Sequence, residues 1–313
     1  MSGKPPIDEL FEKRITYPDF EPKERLAALV GLDDQIERLQ KILGLLINPA
    51  GLKAWGKKYH PEANQLLDTV LRRPPLVVLA GDVGSGKSAL AESIGDAVAR
   101  QENIEITLFP MSLSTRGQGR VGEMTQLVSA AFDYTIEAAQ KLVSKDGSTR
   151  GGVVLLIDEA DALAQSREAD QMHHEDRAGV NAFIRGIDRI ATQKLPAAII
   201  MCTNRVGALD PAIKRRAADI LTFVRPSDEQ RGNILSRSLL PLGLTQQDIS
   251  KLVSLTGPNA EREYGFTFSD ITQRLLPSIV LDAYPEQAIT ADQAVRAAAK
   301  IVPTAPFIEG RKS

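Results

Sequence analysis

The sequence has little cysteine, few aromatic residues and no long apolar run. Cys202 is the single cysteine among 313 residues, which excludes a disulfide framework within the chain and fits a reducing compartment. No apolar stretch approaches the ~20 residues of a membrane-spanning helix, and the amino-terminal residues lack the apolar region of a signal peptide. We therefore expect a cytoplasmic protein that does not act at a membrane.

Neither sign of charge dominates the composition. The sequence has 38 Lys and Arg residues against 40 Asp and Glu residues, a net charge of −2, with an isoelectric point near 6.0. Proteins that bind nucleic acid usually present a basic field to the phosphates, so this balance argues against a nucleic-acid partner. The length suffices for one large domain and a smaller one.

A glycine-rich segment follows a short apolar run at residues 76–80, and a helical pattern follows it. It has the form GxxxxGK[ST], in which backbone N–H groups surround a phosphate at the start of a helix. Lys87 is expected to reach the β- and γ-phosphates of ATP, and the Ser88 hydroxyl to hold Mg²⁺. The alternative is a strand-to-helix turn without a ligand. The predicted phosphate-binding residues are Gly81, Asp82, Val83, Gly84, Ser85, Gly86, Lys87, Ser88 and Ala89.

Two carboxylates end another short apolar run, residues 153–157. In an open α/β sheet, ligands bind at the carboxyl ends of the strands, where the phosphate-binding loop also lies. Asp158 is therefore predicted to hold Mg²⁺, and Glu159 to accept the proton of the water that attacks the γ-phosphate. The alternative is a strand that ends in two solvated acids.

Further polar residues follow another apolar run, residues 196–202. Asn204 is predicted to orient water near the γ-phosphate. Arg215 and Arg216 are either a surface charge pair or a phosphate clamp that reaches a neighbouring subunit.

The pattern of the chain changes near residue 226. Residues 1–25 are rich in proline and charge and are predicted to be a flexible tail. Residues 26–225 are predicted to form a large α/β domain, and residues 226–313 a small α-helical domain whose helices begin at capping-box sequences. These sequences start at Ser227, Thr245 and Thr290.

The ordered set GDVGSGKS, LLIDEADAL, MCTNR and LDPAIKRR resembles the AAA+ ATPases. The resemblance implies an α/β P-loop NTPase fold with a parallel five-stranded sheet in the order 5-1-4-3-2, an α-helical lid and a homo-hexameric ring. The predicted strands, in chain order, are 76–80, 104–109, 153–157, 196–202 and 220–224.

The resemblance also implies roles for individual residues. Gly31 and Leu32 match the segment that lies against adenine, Asn204 matches sensor 1, and Arg274 matches sensor 2. Arg215 and Arg216 fall on the finger position, which completes the ATP site of the next subunit. The loop that grips substrate in the central pore matches Arg120, Val121, Gly122 and Glu123, with an arginine where AAA+ unfoldases carry an aromatic residue.

Within AAA+, residues 212–227 and the segment QRLLP are similar to the HORMA-remodelling pachytene-checkpoint and thyroid-receptor-interactor group. Bacterial members accompany a nucleotidyltransferase that makes cyclic-oligonucleotide signals during phage infection. The resemblance implies a Mg²⁺-dependent ATPase that unfolds or disassembles a HORMA-domain complex. Two alternatives remain open at this point: a DNA-stimulated motor or loader, and a nucleotide-dependent scaffold without remodelling activity.

Overall fold

The computed structural model of the chain describes residues 6, 10–113, 123–144, 149–164, 174–205, 207, 209–260 and 262–307. It divides into two compact units. Unit 1 comprises residues up to Ala28 together with Asp34–Ala80 and Ser88–Thr222, and unit 2 comprises Leu29–Asp33, Gly81–Lys87 and the residues from Phe223 onward. The division at Thr222 lies close to the domain boundary predicted at residue 225.

A six-stranded sheet with the order β1-β3-β4-β5-β2-β6 forms the centre of unit 1. Strands β2, β3, β4 and β5 are parallel. They are buried almost throughout and rich in Val, Ile and Leu, as expected of parallel strands that helices cover on both faces. The strands are β1 (Ile15–Tyr17), β2 (Leu76–Gly81), β3 (Glu105–Ser112), β4 (Gly151–Asp158), β5 (Ala197–Thr203) and β6 (Ala217–Phe223).

The sheet has one strand more than predicted. The five predicted strands do lie in the order 5-1-4-3-2, but β1 adds a short antiparallel strand beside β3. Residues 10–25, which the sequence analysis assigned to a flexible tail, therefore contain ordered structure. Leu10 and Tyr17 are fully buried and Phe11 stacks on Phe109 at 4.9 Å between ring centroids, so apolar burial holds this segment on the sheet edge.

Helices surround the sheet of unit 1. The two longest described helices, α6 (Glu123–Gln140) and α8 (His174–Gln193), pack on each other, with the ring centroids of Phe132 and Phe183 5.8 Å apart, and α6 also packs on β4. The helices are α1 (Phe20–Ala27), α2 (Asp33–Ile47), α3 (Pro49–Tyr59), α4 (Asn64–Leu71), α5 (Lys87–Glu102), α6 (Glu123–Gln140), α7 (Asp161–Ala164), α8 (His174–Gln193) and α9 (Pro211–Lys214).

Unit 2 contains the helical lid. Its apolar core includes Leu235, Leu252, Phe266, Leu275 and Ala294. Three of its helices begin with complete capping boxes, as predicted at Ser227, Thr245 and Thr290. The helices are α10 (Asp228–Leu239), α11 (Gln246–Thr256), α12 (Leu276–Leu281) and α13 (Ala291–Lys300), with a 3₁₀ turn at Leu240–Leu242 and a π-helix at Asp270–Leu275. Across the described ranges, no helix is both long and apolar enough to cross a membrane.

Candidate functional site

The phosphate-binding loop leaves the end of β2 and enters α5 at Lys87. Gly84 and Gly86 have φ angles of +69° and +94°, which an L side chain rarely adopts, so the loop curls only because glycine stands there. The ammonium group of Lys87 is buried and donates hydrogen bonds to the carbonyl oxygens of Gly81 at 3.0 Å and Asp82 at 2.7 Å. The loop therefore encloses a positive charge at the start of a helix.

Asp82, at the second position of the loop, connects it to the lid residues of unit 2. Its Oδ2 accepts a hydrogen bond from Arg225 Nε at 2.5 Å, and its Oδ1 accepts one from the backbone N–H of Phe307 at 3.4 Å. Both charged side chains are mostly buried. A further bond joins the N–H of Ser269 to the carbonyl oxygen of Gly84. The carboxylate of Asp82 thus ties the phosphate-binding loop to two separate segments of the lid.

Gly31 and Leu32, predicted to lie against adenine, also belong to unit 2. The carbonyl oxygen of Gly31 accepts a hydrogen bond from Gln230 Nε2 at 2.7 Å, at the first turn of α10. Leu32 is buried, and its Cδ1 lies 2.9 Å from the position that a Cβ on Gly86 would take. The structure therefore places this segment beside the phosphate-binding loop.

The predicted acidic pair ends β4. Because β2, β4 and β5 are parallel neighbours, Ala80, Asp158 and Thr203 lie at the same edge of the sheet. Asp158 Oδ1 accepts a hydrogen bond from the N–H of Glu159, and Glu159 has a φ of +51°. Glu159 Oε2 accepts a hydrogen bond from the Ser112 hydroxyl at 2.8 Å. Ser112 was not identified from the sequence, because its place opposite Asp158 depends on the pairing of β3 with β4.

Asn204 is held by a third carboxylate that the sequence analysis missed. Asp161 Oδ1 accepts hydrogen bonds from the Thr203 hydroxyl and the N–H of Asn204, both at 2.7 Å, and its Oδ2 accepts one from Asn204 Nδ2 at 3.1 Å. These bonds fix both the backbone and the side-chain amide of Asn204. The only signal in the sequence is the spacing of Asp158, Glu159 and Asp161 in DEAD.

The two candidate finger arginines differ in their surroundings. Arg216 forms a bidentate pair with Asp188 at 2.7 and 3.0 Å, and this hydrogen bonding raises the pKa of the arginine. Arg215 is exposed at the end of α9, and its side chain has no hydrogen-bond or ion-pair partner among the residues that the structure describes. The structure thus pairs Arg216 with Asp188 and exposes the guanidinium group of Arg215.

Arg274 lies in the π-helix of the lid. Its Nη1 donates to Asp270 Oδ1 and to the carbonyl oxygen of Val302, both at 2.9 Å. Burial raises the pKa of Asp270, but hydrogen bonds from Thr267, Thr304 and Arg274 outweigh that effect and lower the pKa overall. Asp270 thus joins the π-helix to the extended segment that follows α13.

The predicted pore loop lies mostly outside the described residues. Arg120, Val121 and Gly122 fall in residues 114–122, of which nothing is described, and Glu123 is the first residue of α6.

The residues present fit ATP with a magnesium ion. A Cβ on Gly84 would collide with Thr267 and Ser269, and one on Gly86 would collide with Leu32. Only glycine therefore fits at these positions of the curled loop, whose form is that of a backbone N–H phosphate cradle. The Ser88 hydroxyl and the Asp158 carboxylate are oxygen donors of the kind that Mg²⁺ prefers.

The chain is similar to known proteins in both sequence and structure. The AAA family, "ATPase family associated with various cellular activities", matches residues 77–225. The chain is 69% identical over 309 residues to CD-NTase-associated protein 6 of Escherichia coli (strain MS 115-1), a match that covers 99% of each protein. A chain in the structure of the E. coli MS115-1 HORMA:CdnC:Trip13 complex superimposes with a TM-score of 0.89 and 69% identity, over 98% of this chain and 100% of that one. Rhizobiales Trip13 gives a TM-score of 0.73 and 53% identity, over 95% and 100% of the two chains.

Proposed function

The chain belongs to the AAA family of ATPases, in the group that contains CD-NTase-associated protein 6 and bacterial Trip13, and we propose that it disassembles a HORMA-domain complex. This proposal rests on two matches at 69% identity: one to CD-NTase-associated protein 6 over 99% of the chain, and one to a chain in the structure of the HORMA:CdnC:Trip13 complex. The client is then a HORMA protein bound to a nucleotidyltransferase for anti-phage signalling, and the compartment is the cytoplasm.

The energy for this work comes from ATP hydrolysis, since the chain is an ATPase. Lys87 binds the β- and γ-phosphates, and Gly31 and Leu32 lie against adenine. Glu159 accepts a proton from the attacking water as the new oxygen–phosphorus bond forms at the γ-phosphate. The bond to the β–γ bridging oxygen breaks, and ADP and phosphate leave.

Asn204 places the attacking water through its side-chain amide, in the orientation that Asp161 fixes. Ser88 and Asp158 would hold Mg²⁺, which neutralises charge on the phosphate oxygens. Ser112 donates to Glu159 and so controls where the carboxylate of the general base points.

The active form in this proposal is a homo-hexamer in which each ATP site is shared by two subunits. Arg215 or Arg216 stabilises charge on the transferring phosphoryl group of the adjacent subunit, a role worth ~10³ to 10⁵ in rate where such fingers have been measured. The exposed position of Arg215 favours it for contact in trans. The loop from Arg120 to Glu123 contacts the client in the central pore, and Arg274 responds to the nucleotide from the lid.

The substitution Glu159→Gln tests this function. The variant should bind ATP, fail to hydrolyse it, form hexamers in native mass spectrometry and retain a HORMA:CdnC complex in a pull-down. The wild type with ATP should instead release HORMA from CdnC. As a control, Glu62→Gln makes the same chemical change at an exposed position and should behave as the wild type.

For each part of the proposal, a different result would disprove it. Hydrolysis by the Glu159→Gln variant would disprove the role of this glutamate. A wild type that stays monomeric with saturating ATP and Mg²⁺ would disprove the shared site. ATP hydrolysis that leaves the HORMA:CdnC complex intact, or that DNA stimulates, would disprove HORMA remodelling.

A further inference from the structure

A cavity of about 440 Å³ lies at the amino-terminal ends of the strands of unit 1. Pro75 precedes β2, Thr149 precedes β4, and Pro196 and Ala197 stand at the start of β5, and all four line it. The phosphate-binding loop follows the carboxyl end of β2, so this cavity is at the other edge of the sheet. None of the residues assigned above to ATP binding or hydrolysis lines it.

The inner wall of the cavity is apolar. Ile42 and Ile47 from α2, Leu71 from α4, and Ile190 from α8 contribute to it, together with Leu195. Ile47 and Ile190 are buried in the protein core. The cavity is therefore bounded by helices with buried side chains on its apolar side, and its size is within the ~300–1,000 Å³ of small-molecule sites.

The rim of the cavity carries an excess of positive charge. Lys53, Arg72, Arg73 and Lys194 line it against one acid, Asp68, which leaves three positive charges in excess. Within the described ranges, none of the four cationic side chains has a hydrogen-bond or ion-pair partner. Charges of one sign around one cavity repel each other, and a bound anion would offset that repulsion. The planar guanidinium group of arginine in particular can bind a phosphate through two parallel hydrogen bonds.

We propose that this cavity binds a small organic phosphate, a site separate from the ATP site. The phosphate lies among Arg72, Arg73, Lys53 and Lys194 at the rim, and the apolar or aromatic body of the ligand packs on the wall that Ile42 and Ile190 form. A ligand with both parts contacts the charged rim and the apolar wall, whereas inorganic phosphate contacts the rim alone. The size and chemistry correspond to a mononucleotide.

Isothermal titration calorimetry of the chain with AMP tests the proposal. The Lys87→Ala substitution is made first, so that the phosphate-binding loop does not contribute to the signal. We expect one AMP per chain, with an affinity that falls as salt is added. Adenosine and inorganic phosphate should each bind at least about tenfold more weakly than AMP, because each lacks one part of the ligand.

Variants at the rim show whether AMP occupies this cavity. In the Lys87→Ala chain, Arg72→Glu with Arg73→Glu should weaken AMP binding by more than about tenfold. Lys194→Gly should weaken it several-fold without disturbing the fold, because Lys194 has a φ of +51° that glycine adopts more readily. The matched control is Lys57→Glu with Lys58→Glu, the same charge reversal on α3 outside the cavity, which should leave AMP binding unchanged.

Three results would overturn the proposal. The first is no detectable AMP binding to the Lys87→Ala chain. The second is an equal loss of binding in the control with reversed charges on α3. The third is binding of an acidic peptide, such as polyglutamate, that AMP does not displace, since the surface would then be a docking site for a protein.

Discussion

Replacing Asp161 by asparagine should slow ATP hydrolysis by acting through Asn204. The carboxylate of Asp161 accepts three hydrogen bonds, two of them from Asn204, at 2.7 and 3.1 Å. An asparagine at this position has one oxygen acceptor in place of two. Its NH₂ group would then face one of the groups that donate to Asp161, either Asn204 Nδ2 or the N–H of Asn204 and the Thr203 hydroxyl. The side-chain amide of Asn204 then loses its anchor while its own chemistry is unchanged.

The structure gives the expected size of this effect. A hydrogen bond to a charged acceptor contributes a net ~1.5–3 kcal/mol. Asp161 keeps some exposure to solvent, which favours the lower end of that range. A loss of about 1.5 kcal/mol in the orientation of Asn204 lowers kcat about tenfold. The KM for ATP should change less than about twofold, because the phosphate-binding loop is untouched.

A double-mutant cycle with steady-state ATPase kinetics provides the assay. Asn204→Ala alone should lower kcat, and adding Asp161→Asn to it should produce less than about a twofold further change. Asp133→Asn removes a carboxylate from the surface ion pair with Arg189 and serves as the control, with an unchanged kcat. Independent, multiplicative effects of Asp161→Asn and Asn204→Ala would refute the argument that Asp161 is a positioning residue.

Three further predictions concern stability, measured by urea unfolding. Asp82→Asn leaves Arg225 in a mostly buried site without its carboxylate and should lower the free energy of unfolding by ~2–3 kcal/mol. Glu37→Gln, in the exposed pair with Lys41, should leave it unchanged. Equal effects of the two substitutions would contradict the role of burial. Phe11→Ala should cost ~3 kcal/mol with ATP binding retained, and no loss would show that the amino-terminal segment does not pack. The pKa of Asp270 is lowered, so the stability that its carboxylate contributes is present above about pH 3.8 and is lost as the pH falls further. Asp270→Asn should therefore lower the free energy of unfolding at pH 7. A difference in this free energy between variant and wild type that persists unchanged at pH 3 would contradict the argument.

The sequence predicted the parts of the fold that depend on short segments. Four apolar strands, the capping boxes at Ser227, Thr245 and Thr290, and the glycines of the phosphate-binding loop each carry their signal within a few residues. The family followed from the order of four motifs, and the comparisons confirm it. The roles given to Glu159, Asn204 and the two arginines stay predictions.

The N-terminal strand could not be predicted, for a physical reason. Ile15–Tyr17 is too short to show an alternating pattern, and Leu10 and Phe11 stand alone among polar residues. Their burial comes from contacts with residues far along the chain, such as the stacking of Phe11 on Phe109. The charged and proline-rich composition of this segment therefore indicated disorder, while a few long-range apolar contacts determined its structure.

The hydrogen bonds between the phosphate-binding loop and the lid could not be predicted from the sequence for the same reason. Asp82 and Arg225 are 143 residues apart, and Asp82 and Phe307 are 225 apart, so no local pattern pairs them. Yet these bonds connect the loop to the lid: the same carboxylate accepts a hydrogen bond from Arg225, two residues after β6, and one from the segment after α13. Asp82, together with the bond from the N–H of Ser269 to the carbonyl oxygen of Gly84, therefore links the loop to the lid, and each link joins residues that are distant in sequence.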